Sequence, residues 1–303
     1  MDTVLWVLFA TSMPFITTKM LFARPSCSRL HMIGTCGEDM NDMNERVFLE
    51  FQALFRRMAI FFRQKGQIGN CSEFRALYRK WHQDPRSVRL QKKIPFHLYD
   101  QNEAQEFLQF VLGLYGMNGL LPFGAVSNES FFYGRDNRSH EWMYDRVDKK
   151  QSIVWNIPVS MLGSIHSLAD GLCRTEEIDH VRVQHKKQEY TSVRTIHSLH
   201  QFADLLILSL ERVDPLSQRI LHKSIEAPAS LEDHNQKRLQ LRCIICHHGR
   251  TMHSGHYVAI GFLPEEKEWF LYDDTCPHLR SIQENNQIPQ FIRTNGILFF
   301  YSI

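Results

Sequence analysis

The sequence has almost no net charge: 35 Lys and Arg against 33 Asp and Glu leave +2 over 303 residues. A nucleic-acid partner calls for a clustered basic excess, so none is expected. The basic cluster at 184–187 reads as a solvated loop. A long uninterrupted apolar run is also missing. The opening stretch, residues 1–23, is apolar-rich, but Asp2, Thr3, Pro14 and Lys19 interrupt it and no basic segment precedes it. Neither a secretory signal nor a membrane span is therefore expected, and buried core is the reading. The cysteines do not form a framework either. They are seven, an odd number, scattered at 27, 36, 71, 173, 243, 246 and 276. Such scatter suits a reducing compartment, the cytoplasm or nucleus. There is no internal repeat and no low-complexity linker. What remains is ordinary globular composition, 43% hydrophobic and 22% charged, long enough for one large core or two modest ones.

The first third of the chain reads as helical. Val4, Leu5, Leu8 and Phe9 share one helical face. From Met43, Val47, Phe48, Phe51, Leu54, Phe55, Met58, Phe61 and Phe62 recur at three- and four-residue spacing, and Gly66 stops the run. A shorter helix over 73–81 follows, with Ser72 as its cap. At 100–103 an Asp and a Glu three residues apart form a capping box for a helix whose stripe is Ala104, Phe107, Leu108, Val111, Leu112 and Tyr115. Beyond Pro122 the pattern shifts to short apolar runs between polar turns, at 153–161, 191–196, 204–211, 238–246, 256–263, 269–273 and 296–303. These predict an antiparallel sheet, and the whole is an α+β chain.

The chemistry concentrates in residues 247–274, HHGRTMHSGHYVAIGFLPEEKEWFLYDD. Ser254 and Gly255 present His256 at the start of one apolar run, and a second run ends on Asp273 and Asp274. If the two runs pair as antiparallel strands, His256 and Asp273 become neighbours. A carboxylate beside an imidazole fixes its tautomer and stabilises its charged form, as a general base requires. A loop histidine beside two solvated acids is the plainer alternative. The preceding CIICHH at 243–248 matches the spacing of covalent haem attachment and offers half of a zinc site. Residues 239–244 nevertheless alternate like a half-buried strand, nothing directs export, and a second CxxC is missing. No metal and no cofactor are expected.

SGHYVAI, WFLYDD and the closing GILFFYSI together resemble the histidine box of the ubiquitin-specific proteases. QNEAQEFL at 101–108 is similar to that family's "QDAQEFL" motif, and residues 204–228 resemble the strand pair leading into its palm. The resemblance implies one papain-like cysteine protease domain over 1–303, with a helical thumb over about 1–122 and fingers and an antiparallel β palm over about 123–303. It implies His256 as the base, Asp273 as its orienter, and Asp274 as a weaker candidate aiding the oxyanion through a water. It places Glu103 near the bound ubiquitin tail and makes Gly255 and Tyr257 ubiquitin-binding residues; for Glu103, a plain capping acid is an equal and compatible reading. Many members hold zinc in the fingers with two CxxC pairs, whereas residues 165–200 contain only Cys173.

In the family's cysteine box a nucleophilic Cys opens a long helix, where the helix dipole lowers its pKa. Residues 1–6, MDTVLW, resemble that box from its Met onward, which puts the Cys two residues ahead of Met1. Cys27 and Cys36 are nearest within the chain, but both sit in loop-like sequence and no motif brings them to His256. Two expectations follow. One is a cysteine-type deubiquitinase whose nucleophile lies just upstream, the chain as given being inactive. The other is a non-catalytic, ubiquitin-binding pseudoprotease. Either takes ubiquitin or ubiquitinated proteins as partner.

Overall fold

The computed structural model describes residues 50, 53–54, 57–58, 72–83, 104–108, 126–136, 141–152, 154–159, 165–185, 188–202, 204–214, 217–251, 254–263, 267–273, 275–276, 279–282 and 288–303. Residues 1–6, Glu103 and Asp274 lie outside the described residues, as do Cys27 and Cys36.

Helical structure appears where the three- and four-residue spacing predicts it. Leu54 and Met58 are buried while Ala53 and Arg57 are exposed, the one-sided burial of an amphipathic helix. Helix α1, Ser72–Gln83, buries Phe74 and Tyr78. Phe74 meets Phe107 edge-on at 5.6 Å, tying α1 to the helical residues 104–108. None of the described helices is long and apolar enough to cross a membrane.

The strands are β1 Val126–Asp136, β2 Trp142–Ser152, β3 Val154–Pro158, β4 Cys173–His185, β5 Gln188–Gln201, β6 Leu205–Glu211, β7 Ser230–Glu232, β8 Arg238–Thr251, β9 Ser254–Leu263, β10 Glu268–Asp273, β11 Arg280–Ser281 and β12 Gly296–Ser302. Helix α2, Ile288–Asn295, leads directly into β12. The larger sheet has the order β11-β10-β9-β8-β12-β6-β3, with β7 paired to β8. It is antiparallel except for β3, which runs parallel to β6, a departure from the all-antiparallel expectation.

The centre of this sheet explains its sequence. In β6 and β12, six consecutive residues are buried, so both faces are covered and the runs read as continuous apolar stretches rather than alternating ones. Each fully buried Leu, Ile or Phe stabilises the fold by about 1.5–3 kcal/mol. Burial then fades along the sheet: β9 is buried only in its middle, every residue of β10 is half-buried, and β11 is exposed. The margin next to β9 and β10 is therefore where polar side chains are tolerated.

At the other end of β6, Arg212 is almost fully buried. Its Nε donates to the Gly296 carbonyl at 2.7 Å, and its two terminal nitrogens donate to the carbonyls of Leu221, Lys223 and Arg293 at 3.0, 2.7 and 2.7 Å. One guanidinium thus ties β6 to the 221–223 segment and to the end of α2. Burial pulls its pKa down to about 10, with a smaller opposing effect from Cys246, which leaves it charged at neutral pH.

The second sheet was not anticipated in this form. Its order is β2-β1-β5-β4, all antiparallel, and its strands run 11 to 14 residues. Only 191–196 reads as a strand in the sequence. The sequences of the others mix polar residues into both odd and even positions, so period-2 alternation gives little signal. Cross-strand contacts hold them instead. Arg194 lies 4.3 Å over the Trp142 ring, and Tyr133 meets Tyr144 edge-on at 5.8 Å.

Candidate active site

Strand register delivers the candidate pair. Strand β9 pairs with β8 so that Ile260 faces Ile244, Val258 faces Cys246 and His256 faces His248. Because side chains alternate, the face that buries Ile260 and Val258 in the core carries His256 two residues beyond. Strand β10 pairs with β9 so that Asp273 faces Val258. Asp273 is then the diagonal neighbour of His256 on the same face. The structure places His256 Nε2 2.8 Å from Asp273 Oδ1, with side chains 37% and 22% exposed. The pair is half-buried at the sheet margin, reachable by a partner but not fully hydrated.

Asp273 Oδ1 accepts two further hydrogen bonds, from the Thr275 amide at 2.9 Å and the Thr275 hydroxyl at 2.6 Å. The Cys276 amide donates to the Asp273 carbonyl at 2.9 Å, closing the turn. Desolvation raises the Asp273 carboxyl, but the Thr275 hydroxyl and amide and the His256 ring outweigh it, and its pKa lies below the usual range. Asp273 is therefore a carboxylate at neutral pH. As the acceptor of the Nε2 proton it makes Nδ1 the basic nitrogen of neutral His256. Thr275 was missed in the sequence. The Asp-Asp-Thr turn is the signal that could have found it, since an Asp side chain commonly accepts from the backbone two residues on.

The other predicted residues divide. Gly255 and Tyr257 flank His256 on β9, with Gly255 exposed and Tyr257 half-buried. Glu103 and Asp274 lie outside the described residues. In the neighbouring helical turn, Gln105 accepts from the Ser209 hydroxyl at 2.6 Å and donates to Asn156 Oδ1 at 3.1 Å, pinning residues 104–108 to β6 and β3. Cys243 and Cys246 lie three apart in regular strand, so they point to opposite faces of β8. Burial pushes both thiols up, Cys246 to about 12, so neither is poised as a nucleophile or thiolate ligand. No group of three or more metal-ligating side chains occurs among the described residues.

The site is thus a half-buried imidazole–carboxylate pair carried by neighbouring strands of a mixed, mostly antiparallel sheet, in which the carboxylate can fix the tautomer of the ring. The comparisons give the family. The ubiquitin carboxyl-terminal hydrolase family pattern matches residues 16–301, and the chain belongs to that family. It is similar to ubiquitin hydrolase B of Dictyostelium discoideum, 28% identical over 122 residues, which is 37% of this chain and 27% of that protein. It is also similar to human ubiquitin carboxyl-terminal hydrolase 26, 34% identical over 70 residues, covering 23% of this chain and 7% of the relative. The chain thus matches about a quarter or less of those relatives' lengths. Among solved structures, the SAGA Ubp8/Sgf11/Sus1/Sgf73 DUB module bound to ubiquitin aldehyde aligns over all of this chain and 67% of its own, with TM-score 0.62 and 16% identity. A yeast SAGA DUB module with mutant Sgf73 aligns over 100% and 66%, with TM-score 0.62 and 15% identity. At such identities the likeness is one of fold: this is a ubiquitin-specific-protease fold.

Proposed function

We propose that this chain is the catalytic domain of a cysteine-type deubiquitinase, hydrolysing the bond after the C-terminal residue of ubiquitin. The single observation that carries the reading is the 2.8 Å contact between His256 Nε2 and Asp273 Oδ1. Family membership supplies the substrate class. On this reading residues 1–303 form one domain, with about 1–122 as a helical thumb and about 123–303 as fingers and palm.

The proton path follows from the pair. Asp273 holds the Nε2 proton, so Nδ1 accepts the proton of an attacking thiol. The thiolate adds to the carbonyl carbon, and the imidazolium, stabilised by Asp273, returns its proton to the leaving amine as the C–N bond breaks. Water then adds to the thioester with Nδ1 again taking its proton, and the thiol leaves protonated. The nucleophile is proposed two residues ahead of Met1, from the match of residues 1–6 to the cysteine box. Asp274 is proposed to aid the oxyanion through a water. Glu103, Gly255 and Tyr257 are proposed to bind ubiquitin, Glu103 near its tail. A reducing compartment, cytoplasm or nucleus, is proposed from the scattered, odd-numbered cysteines, and the four among the described residues are free thiols.

The test is hydrolysis of a ubiquitin C-terminal fluorogenic substrate by the chain as given and by a version extended upstream. The extended version is expected to cleave and the chain as given to bind ubiquitin without cleaving. Ubiquitin binding with no cleavage by either would favour the non-catalytic reading. Cleavage by the chain as given, lost on Cys27→Ser or Cys36→Ser, would refute the placement of the nucleophile.

A further inference from the structure

The β8–β9 hairpin contains a second histidine that the proton path does not use. His247 is fully buried, and neither ring nitrogen has a hydrogen-bond partner among the described residues. Burying an imidazole in that state leaves its desolvation uncompensated, so it is a poor choice for filling volume alone. Its surroundings are unusual in another way. The ring packs on Tyr257 with centroids 4.6 Å apart, and two glycines close over its edge. A Cβ added to Gly249 would lie 2.7 Å from His247 Cε1, and one added to Gly255 would lie 2.6 Å from the same atom and against Nε2. Those separations leave no room for any side chain, so backbone sits directly on the ring at both ends of the hairpin turn.

The position matters because regular pairing ends there. Strands β8 and β9 stay in register through His247↔Tyr257 and His248↔His256, then shift before Thr251↔Ser254. His256 is thus the last residue on β9 before the register shifts. The residue before it, Gly255, rests on the His247 ring. A shift of that backbone would move His256 relative to Asp273, 2.8 Å away.

We propose that His247 is a positioning residue for His256: its flat ring seats Gly249 and Gly255 and so holds the His256 side chain against Asp273. This assignment rests on the deubiquitinase reading only for its catalytic consequence; the positioning itself does not depend on it. Burial, with smaller contributions from His222, His248 and His256, keeps His247 uncharged at neutral pH, its pKa pulled down to about 4. A charged ring could not lie against the backbone without hydration, so the seat works in the neutral form.

The test compares His247→Ala, His247→Leu and His247→Gln. Gln keeps a flat polar group of similar reach, whereas Ala empties the slot. Leu fills it with a branched group and removes the unpartnered nitrogens, so it favours folding. The first readout is the tautomer of His256 by 15N NMR on histidine-labelled chain as given, which requires no nucleophile. Wild type and His247→Gln are expected to show the Nε2–H tautomer, and His247→Ala and His247→Leu a mixture, as Asp273→Ala does. The second readout is kcat and KM for the extended chain. For Ala and Leu, kcat should fall about ten- to a hundredfold with KM changed less than threefold, the loss expected of a displaced base, with Gln restoring it. A folded His247→Leu with the wild-type tautomer and kcat would overturn the proposal, as would loss of all secondary structure in both Ala and Leu variants, which would mark plain core filling. If the wild-type extended chain cleaves nothing while the tautomer responds as expected, the deubiquitinase reading fails and the positioning role stands.

Discussion

Acidification from pH 7 to pH 5 should destabilise this fold through His247 in particular. The native imidazole has its pKa lowered to about 4, by burial first and then by His222, His248 and His256. In the unfolded chain it returns to about 6.5. Between those values the unfolded state binds more protons than the native one, so stability rises with pH across that window. The contribution is fully present above about pH 6.5, is lost progressively as pH falls, and levels off below about pH 4. Integrated between pH 7 and pH 5, the loss is about 2 kcal/mol. Carboxylates with lowered values, such as Asp273, titrate below this window and add little to it. The assay is urea unfolding of wild type and His247→Gln at both pH values. For a slope of about 2–3 kcal/mol/M, the wild-type midpoint should drop by about 1 M more than that of the variant. Equal drops in the two proteins would refute the claim that a buried neutral imidazole at this position governs acid stability.

Three further outcomes follow. Thr275→Val removes the 2.6 Å hydroxyl contact to Asp273; the Asp273 carboxyl should rise, so the acid limb of the kcat profile of the extended chain should move to higher pH. Arg212→Met leaves the carbonyls of Gly296, Leu221, Lys223 and Arg293 without their buried donor; thermal unfolding should show a loss of about 3 kcal/mol or more. At Gly171, an added Cβ would meet Ile157 Cδ1 at 2.6 Å; Gly171→Ala should cost about 1–3 kcal/mol, and Ile157→Ala in the same chain should cost less than the two single changes summed.

The sequence discloses the centre of the larger sheet because that centre is buried on both faces. In β6 and β12 a continuous apolar run has no other comfortable setting, and both runs could be read directly. Strands β1, β2 and β4 hid for the opposite reason. WMYDRVDKKQS carries charged residues at both odd and even positions, and its contact with the neighbouring strand, Tyr144 against Tyr133, leaves no trace in the period. The nearness of His256 and Asp273 was legible because two short runs with a charged loop between them fix a pairing, and a pairing fixes which residues meet. Thr275 and His247 were not. Thr275 acts through turn geometry, and His247 through the absence of side chains on Gly249 and Gly255, on either side of a hairpin turn. Neither leaves a periodic trace, and His247 was visible only as part of the CIICHH string.

The central claim is that His256 and Asp273 serve a thiol acting on the ubiquitin C-terminus. Mass spectrometry of the upstream-extended protein after reaction with a ubiquitin carrying a C-terminal thiol-reactive electrophile tests it most directly. The account predicts one ubiquitin added per chain, on a cysteine two residues ahead of Met1, with the rate of labelling cut at least a hundredfold by His256→Ala and by a smaller factor by Asp273→Ala. Labelling on Cys27 or Cys36, or labelling indifferent to His256→Ala, would contradict it.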